Sequence, residues 1–346
     1  MRVVVVPYPW EGDVVGGHVT QQVETVRALQ RRGVEAEIVS IDEAVEPGAD
    51  IVHAFEDVRP LLARGTPSGR LVVTPIYCPR SFVLGATPMY RRAGRRHMRS
   101  VQLRHLAHKA RDPQARRARL ADLRARDQAW RQADLMVVNS HAEARLLRRD
   151  VPGLRDVQVA YSGVAQDAFH GDPEEGRRLL GIGDEPFVLC VGRIEPRKNQ
   201  VSLALAARDL PVKLVLVGSV LPGNEPYLEE VRTALRGLIH VPHIEHERLP
   251  HVHAAAAAHA LASWYETTGL STLEALAVGT PVVVARGPCV EEYFEGVAHF
   301  CDAADIGSIR SAIVRALEGP TGAETEHARR FSWERTAETL VGLYGP

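Results

Sequence analysis

Residues 264–284 read Trp264-Tyr265-Glu266-Thr267-Thr268-Gly269-Leu270-Ser271-Thr272-Leu273-Glu274-Ala275-Leu276-Ala277-Val278-Gly279-Thr280-Pro281-Val282-Val283-Val284. The stretch parses as a strand end, a glycine loop, a short helix, a glycine stop and a new strand. Two carboxylates, Glu266 and Glu274, stand eight residues apart across the loop. The free N–H groups at a helix start attract phosphate, and a carboxylate on either side would hold sugar hydroxyls. A second reading is open for Glu274: Ser271-x-x-Glu274 has the spacing of a capping box, with Ser271 as the helix cap.

Outward from this stretch, short apolar runs recur at strand length. Phe187–Val191, Val212–Val217, Leu238–Val241, His259–Trp264, Pro281–Ala285 and His299–Cys301 alternate with helical segments. An earlier alternation contains Arg2–Val6, Val34–Ile41, Asp50–Ala54, Arg70–Pro75 and Leu135–Val138. Its first helix, from about His18 to Arg32, carries Val19, Val23, Val26 and Leu29 on one face. Strands alternating with helices imply parallel sheets with right-handed crossovers. Tyr161–Gly171, poor in periodicity, is the linker between the two sets. A chain of 346 residues is long for one core, so two doubly wound sheets in tandem are expected, with a cleft at their carboxyl ends.

Composition narrows the classes. Hydrophobic residues make up 45% and charged residues 25%, the balance of an ordinary globular chain. Cys78, Cys190, Cys289 and Cys301 are scattered, which disfavours zinc or a disulfide framework and fits a reducing cytosol. The opening run Val3–Val6 is too short for a secretion signal or a membrane span and reads as a buried strand. The net charge of −1 hides an asymmetry: residues 80–131 hold 15 Lys/Arg against 3 Asp, leaving 27 basic and 40 acidic residues elsewhere. Such a block reads either as solvated helix faces or as a contact for an anionic partner such as a membrane surface. Only Phe82, Tyr90 and Trp130 interleave it with aromatics, so nucleic acid is not expected. Asp112 followed by Pro113 marks a helix start, with the helix running to about Ala133.

Other pieces carry chemistry. Val191-Gly192-Arg193-Ile194-Glu195-Pro196-Arg197-Lys198-Asn199 follows a strand, so Arg193 and Lys198 would stand at its carboxyl end, where a diphosphate leaving group develops charge. Gly16-Gly17 lies between the first strand and first helix, where glycines let backbone approach phosphate. No G-x-G-x-x-G is present, which disfavours a dinucleotide-binding enzyme. His240, His243, His246, His251 and His253 are close in sequence but pair with no Cys or carboxylate in a metal-binding pattern, so no metal is expected.

The run from Glu266 to Val284, preceded by Gly192-Arg193-x4-Lys198, resembles the E-x7-E signature of retaining nucleotide-sugar glycosyltransferases of the GT-B fold, family 4 (glycosyl transferases group 1). The resemblance implies an α/β chain of two Rossmann-like doubly wound domains facing a cleft. They would be an acceptor domain over 1–165 with a basic helical insertion at about 80–131, and a donor-nucleotide domain over 166–328. A C-terminal helix over 329–346 would pack back on the first domain.

It implies a sugar transfer with retention from a nucleoside-diphosphate-sugar (UDP, GDP or ADP open) to an acceptor hydroxyl, with no required cofactor or metal. Arg193, Lys198 and Glu266 would be catalytic. Gly16, Gly17, Ile244, Thr268, Gly269, Leu270, Ser271, Thr272 and Glu274 would bind the donor, Glu274 through the ribose. The acceptor could be a sugar, glycolipid or small molecule, and the location cytoplasmic or peripheral on the inner membrane face. The chain departs from the resemblance where relatives carry an acceptor-side histidine: here the strand ends Thr74-Pro75-Ile76-Tyr77-Cys78-Pro79. His53, Tyr77 and Arg80 are the acceptor-side candidates in its place. A same-fold epimerase or phosphorylase and a basic nucleic-acid- or anion-binding protein without catalysis are the competing readings.

Overall fold

The computed structural model describes residues 1–7, 16–83 and 113–345. These form two compact units, one of residues before 164 joined by the chain from Phe331 onward, the other Val164–Arg330.

The first unit is a six-stranded parallel sheet. Its strands are β1 (Arg2–Val6), β2 (Glu35–Ile38), β3 (Ile51–Phe55), β4 (Arg70–Thr74), β5 (Leu135–Val138) and β6 (Val157–Val159), in the order β2-β1-β3-β4-β5-β6. The central strands are continuous apolar runs because helices cover both faces of a parallel sheet; Val3–Val6 and Ile51–Phe55 are buried throughout. The helix Gly17–Arg31 buries Val26, Ala28 and Leu29, together with the polar Gln21, Gln22, Glu24 and Thr25. The final helix Trp333–Tyr344 packs against it, and Arg70 donates to the carbonyls of Leu343 and Tyr344 at 2.7 and 3.0 Å.

Of the basic block, Arg80–Val83 and the helix Pro113–Trp130 are described; Asp112 and the rest of 84–112 lie outside the described residues. That helix stops at Trp130 rather than Ala133. It buries Leu123, Asp127, Ala129 and Trp130, while Arg116, Arg117 and Arg124 are exposed. Asp127 holds both Arg80 and Arg126, and the Arg126 guanidinium lies 4.1 Å from the Trp130 ring centroid. Part of the positive charge is therefore structural, tying the helix to its own sheet. No described helix is long and apolar enough to cross a membrane.

The second unit repeats the plan with β7 (Phe187–Val191), β8 (Lys213–Val217), β9 (Ile239–Val241), β10 (Ala258–Leu261), β11 (Val282–Ala285) and β12 (His299–Cys301). All pair in parallel, in the order β12-β11-β10-β7-β8-β9. The chain adds β8 and β9 on one side of β7, then returns to lay β10 on the other. The strand order thus reverses between β7 and β10, and in open α/β sheets ligands bind beyond the carboxyl ends at such a point. The segments leaving those two ends are Gly192–Asn199 and Ala262–Gly269. β10 ends at Leu261, short of the expected Trp264, because the chain turns to meet the neighbouring loop: the Trp264 N–H donates to the Arg197 carbonyl at 2.8 Å.

Candidate functional site

At the end of β7, Gly192 takes φ +150°, a backbone conformation that side chains rarely adopt, and lies against the Lys198 stem. Pro196–Lys198 forms a 3₁₀ turn that closes on Asn199 at φ +58°, a left-handed conformation that glycine and asparagine enter most readily. The buried Asn199 amide donates to the carbonyls of Ala262 and Ala303 at 3.0 and 2.9 Å, fastening the turn to the end of β10. Asn199 was expected only as part of the motif; its geometry shows the reason for the residue type.

The two segments meet in a charge cluster. Lys198 Nζ stands 2.6 Å from Glu266 Oε1, and an Arg197 guanidinium nitrogen lies 3.5 Å from the same oxygen. Arg197 also donates to the Tyr265 carbonyl at 3.0 Å and to Glu195 at 2.8 Å, while Arg193 lies 3.5 Å from Glu195. Burial alone would push the Glu266 carboxyl up; the Lys198 and Arg197 cations outweigh it and bring it down to about 2. Glu266 is thus ionised at neutral pH, an acceptor-only group suited to hydroxyl donors. Lys198 and Glu266 meet directly, whereas Arg193 is linked to them through Glu195 and Arg197. Arg197 and Glu195, which the sequence reading quoted without a role, knit the cluster.

The glycine loop differs from expectation in two details. Gly269, at φ +79°, is itself the cap of the helix Leu270–Ala277, with no side-chain cap. Ser271 lies inside the first turn and donates to the Val191 carbonyl at 3.2 Å, so the anticipated capping box does not form. The Thr272 amide already donates to the Gly269 carbonyl at 2.8 Å, and its side chain is buried, which removes Thr272 from the set of free donors. Leu270 and Ser271 are then the amides of the first turn that no intrahelical carbonyl satisfies. Thr268 is buried beside them, and Ile244 packs in a core cluster with Val217 and Leu249.

Glu274, released from the capping box, faces two imidazoles. His246 Nε2 lies 2.9 Å from Oε1 and His253 Nε2 lies 3.7 Å from Oε2. Burial would raise the carboxyl, but the hydrogen-bonded His246 and the nearby His253 hold it well below the usual carboxylate range. His246 and His253 entered the sequence reading only as members of an unconvincing metal pattern. His259 went unnoticed as a functional residue; its signal was a histidine alone in the apolar run Ala254–Leu261. No group of three or more metal-ligating side chains occurs among the described residues.

The remaining candidates lie in the first unit. Gly16 is the extended cap of the helix Gly17–Arg31 and accepts from the Val19 amide at 2.8 Å. The three acceptor-side candidates are all engaged with partners of the first unit. His53 is buried with both ring nitrogens engaged, Nδ1 with the Tyr344 hydroxyl at 2.7 Å and Nε2 with Thr74 at 2.8 Å. Tyr77 is buried, and its hydroxyl donates to Asp150 at 2.7 Å. Arg80 is bound to the buried Asp127. All three are tied to partners within the first unit, and of them the Arg80 side chain stays 35% exposed.

The sequence model of the family "Glycosyl transferases group 1" matches residues 172–334. The chain is 34% identical over 236 residues to a D-inositol 3-phosphate glycosyltransferase of Mycobacteroides abscessus, covering 62% of this chain and 52% of that protein. With a protein of the same name from Acidothermus cellulolyticus it shares 32% over 238 residues, 61% of this chain and 53% of the other. It thus spans about half the length of the curated relatives it matches. Among solved structures, a sucrose-phosphate synthase from Thermosynechococcus elongatus superposes with a TM-score of 0.75 at 20% identity, covering 99% of this chain and 98% of that one. The Anabaena protein Alr3699/HepE, in complex with UDP and glucose, gives 0.71 at 16% identity, with 99% of both chains covered. The fold is therefore GT-B, and most of the second unit, residues 172–334, is similar to the glycosyl transferases group 1 family.

Proposed function

We propose that the chain is a retaining, metal-independent glycosyltransferase that moves a sugar from a nucleoside diphosphate to an acceptor hydroxyl. The observation that carries this reading is the Lys198–Glu266 pair, flanked by Arg193 and Arg197, beyond the ends of β7 and β10. Arg193 and Lys198 would stabilise the departing diphosphate, the task a divalent ion performs elsewhere. Glu266 accepts from hydroxyls of the transferred sugar, Glu274 from the ribose, and the Gly269–Ser271 turn supplies amides to phosphate. In the transfer, the bond between the anomeric carbon and the phosphate oxygen breaks as the acceptor oxygen bonds on the same face. The acceptor proton passes to the departing phosphate oxygen, so no side-chain base is needed and the engagement of His53 is no obstacle.

The UDP held by one neighbour of the same fold puts UDP-sugars first among donors to try, with GDP- and ADP-sugars beside them. The names of the relatives put an inositol phosphate first among acceptors. Transfer is measured on the full chain with each donor, with and without EDTA, and the product anomer is read by proton NMR. Transfer that survives EDTA and keeps the donor's configuration is expected; an inverted product or one abolished by the chelator overturns the corresponding part of the reading. Arg116, Arg117 and Arg124, exposed along one helix, support a contact with anionic lipid headgroups. Sedimentation with phosphatidylserine vesicles should fall steeply as salt rises; salt-indifferent or absent binding rules this contact out.

A further inference from the structure

Beneath Glu274 lie two imidazoles that the proposed chemistry does not use. His253, on the helix Leu249–Ala255, and His259, on β10, are both fully buried, with ring centroids 5.3 Å apart and planes inclined by 60°. None of their four ring nitrogens has a hydrogen-bond partner among the described residues. A neutral imidazole always carries one N–H donor and one acceptor, and buried polar groups in folded proteins are nearly always bonded. An alanine or valine would fill either position without that cost. His253 is nevertheless held firmly: the Thr280 hydroxyl donates to its carbonyl at 2.7 Å, and its Nε2 is aimed at Glu274 Oε2, 3.7 Å away. That separation exceeds a formed N–H···O bond by about half an ångström. Contacts of this kind are often long in ligand-free proteins and tighten when substrate arrives.

We infer that His253 and His259 are positioning residues for the Glu274 carboxylate: His253 donates through Nε2 to Oε2, and His259 keeps the proton of His253 on that nitrogen. His246 takes the other oxygen, so the carboxylate is gripped from both sides and its remaining lone pairs face the ribose. This rests on the reading of Glu274 as the ribose-holding group. For His259, burial and the neighbouring His253 push the ring well below its ordinary range. An imidazole N–H held in place orients a carboxylate without displacing its charge, and charge on Glu274 is what a ribose diol requires.

The test uses the full chain and two readouts. The first is binding of UDP, GDP and ADP and of their 2′,3′-dideoxy counterparts. His253→Leu should weaken the ribonucleoside diphosphate by about tenfold, the loss of roughly one hydrogen bond, and leave the dideoxy compound unchanged. His253→Gln, which restores a donor near the Nε2 position, should recover most of the loss, and His259→Leu should resemble a milder His253→Leu. Equal weakening of both compounds shows a role in packing alone and overturns the inference. The second readout needs no ligand: nitrogen-15 NMR of the His253 ring should show Nε2 protonated, shifting in Glu274→Gln and changing tautomer in His259→Leu. Unmoved resonances overturn the inference. If Glu274→Gln itself fails to discriminate ribose from dideoxyribose, the ribose reading falls instead, and the ring resonances still decide the link between His253 and Glu274.

Discussion

Lys198 shows how much one side chain carries. Its ammonium stands 2.6 Å from the part-buried Glu266 carboxylate, closer than any other cation shown. Lys198→Ala should reduce turnover by about 10²–10³, the usual cost of losing one charge aimed at a developing oxyanion. Arg193→Ala should fall in the same range, whereas Arg197→Ala should act through Glu266 and cost less. Steady-state kinetics with the best donor check the order; an Arg197→Ala loss equal to that of Lys198→Ala would reassign Arg197 as a direct phosphate contact. Lys198 and Arg193 were legible as residues because spacing alone marks them. Arg197 was not, since only the fold turns its guanidinium toward Tyr265 and Glu195 rather than into solvent.

At the scale of elements, the site depends on two loops being fastened to each other. Asn199 does this with a left-handed backbone and two hydrogen bonds to the carbonyls of Ala262 and Ala303. Asn199→Gly keeps the backbone freedom but strips both bonds, a cost of about 1–3 kcal/mol for buried carbonyls left unpaired. Asn199→Ala adds about 1 kcal/mol of left-handed strain. Chemical denaturation should therefore rank wild type above glycine and glycine above alanine; an alanine variant as stable as the glycine one would show that the turn relaxes. Strand positions were legible in the apolar runs, because a parallel sheet covered on both faces needs nothing else. The end of β10 was not, since the hydrogen bond from Trp264 to Arg197 is a contact across 67 residues of sequence. The absent capping box has a similar cause: Ser271-x-x-Glu274 meets the local pattern, but Gly269 caps the helix and leaves both side chains to partners distant in sequence.

For the whole molecule, the return of the last helix to the first sheet decides the state of His53. Burial pushes its imidazole down to about 3 from an ordinary value of 6.5. The unfolded chain therefore binds a proton over that interval that the folded chain excludes. The stability His53 contributes is complete above about pH 6.5 and is lost as pH falls toward 3. Urea denaturation at pH 7.5 and pH 5 should show a smaller acid loss in His53→Gln than in wild type. Tyr344→Phe removes the partner of Nδ1 and should cost about 1–3 kcal/mol at neutral pH. Equal acid loss in His53→Gln and wild type would show that other groups dominate the titration.

Local pattern determined the class of this protein. Apolar runs of strand length, glycines at loop positions and two carboxylates at fixed spacing dictate parallel sheets with anion-binding turns, because backbone geometry and hydrogen bonding act between near neighbours. Tertiary structure alone decided which polar groups remain available. Long-range packing tied His53, Tyr77 and Arg80 to partners in the first unit, seated Glu274 against His246 and His253, and buried His259 beneath them. A side chain's solvent and partners are set by segments far away in the chain, and no local pattern encodes them.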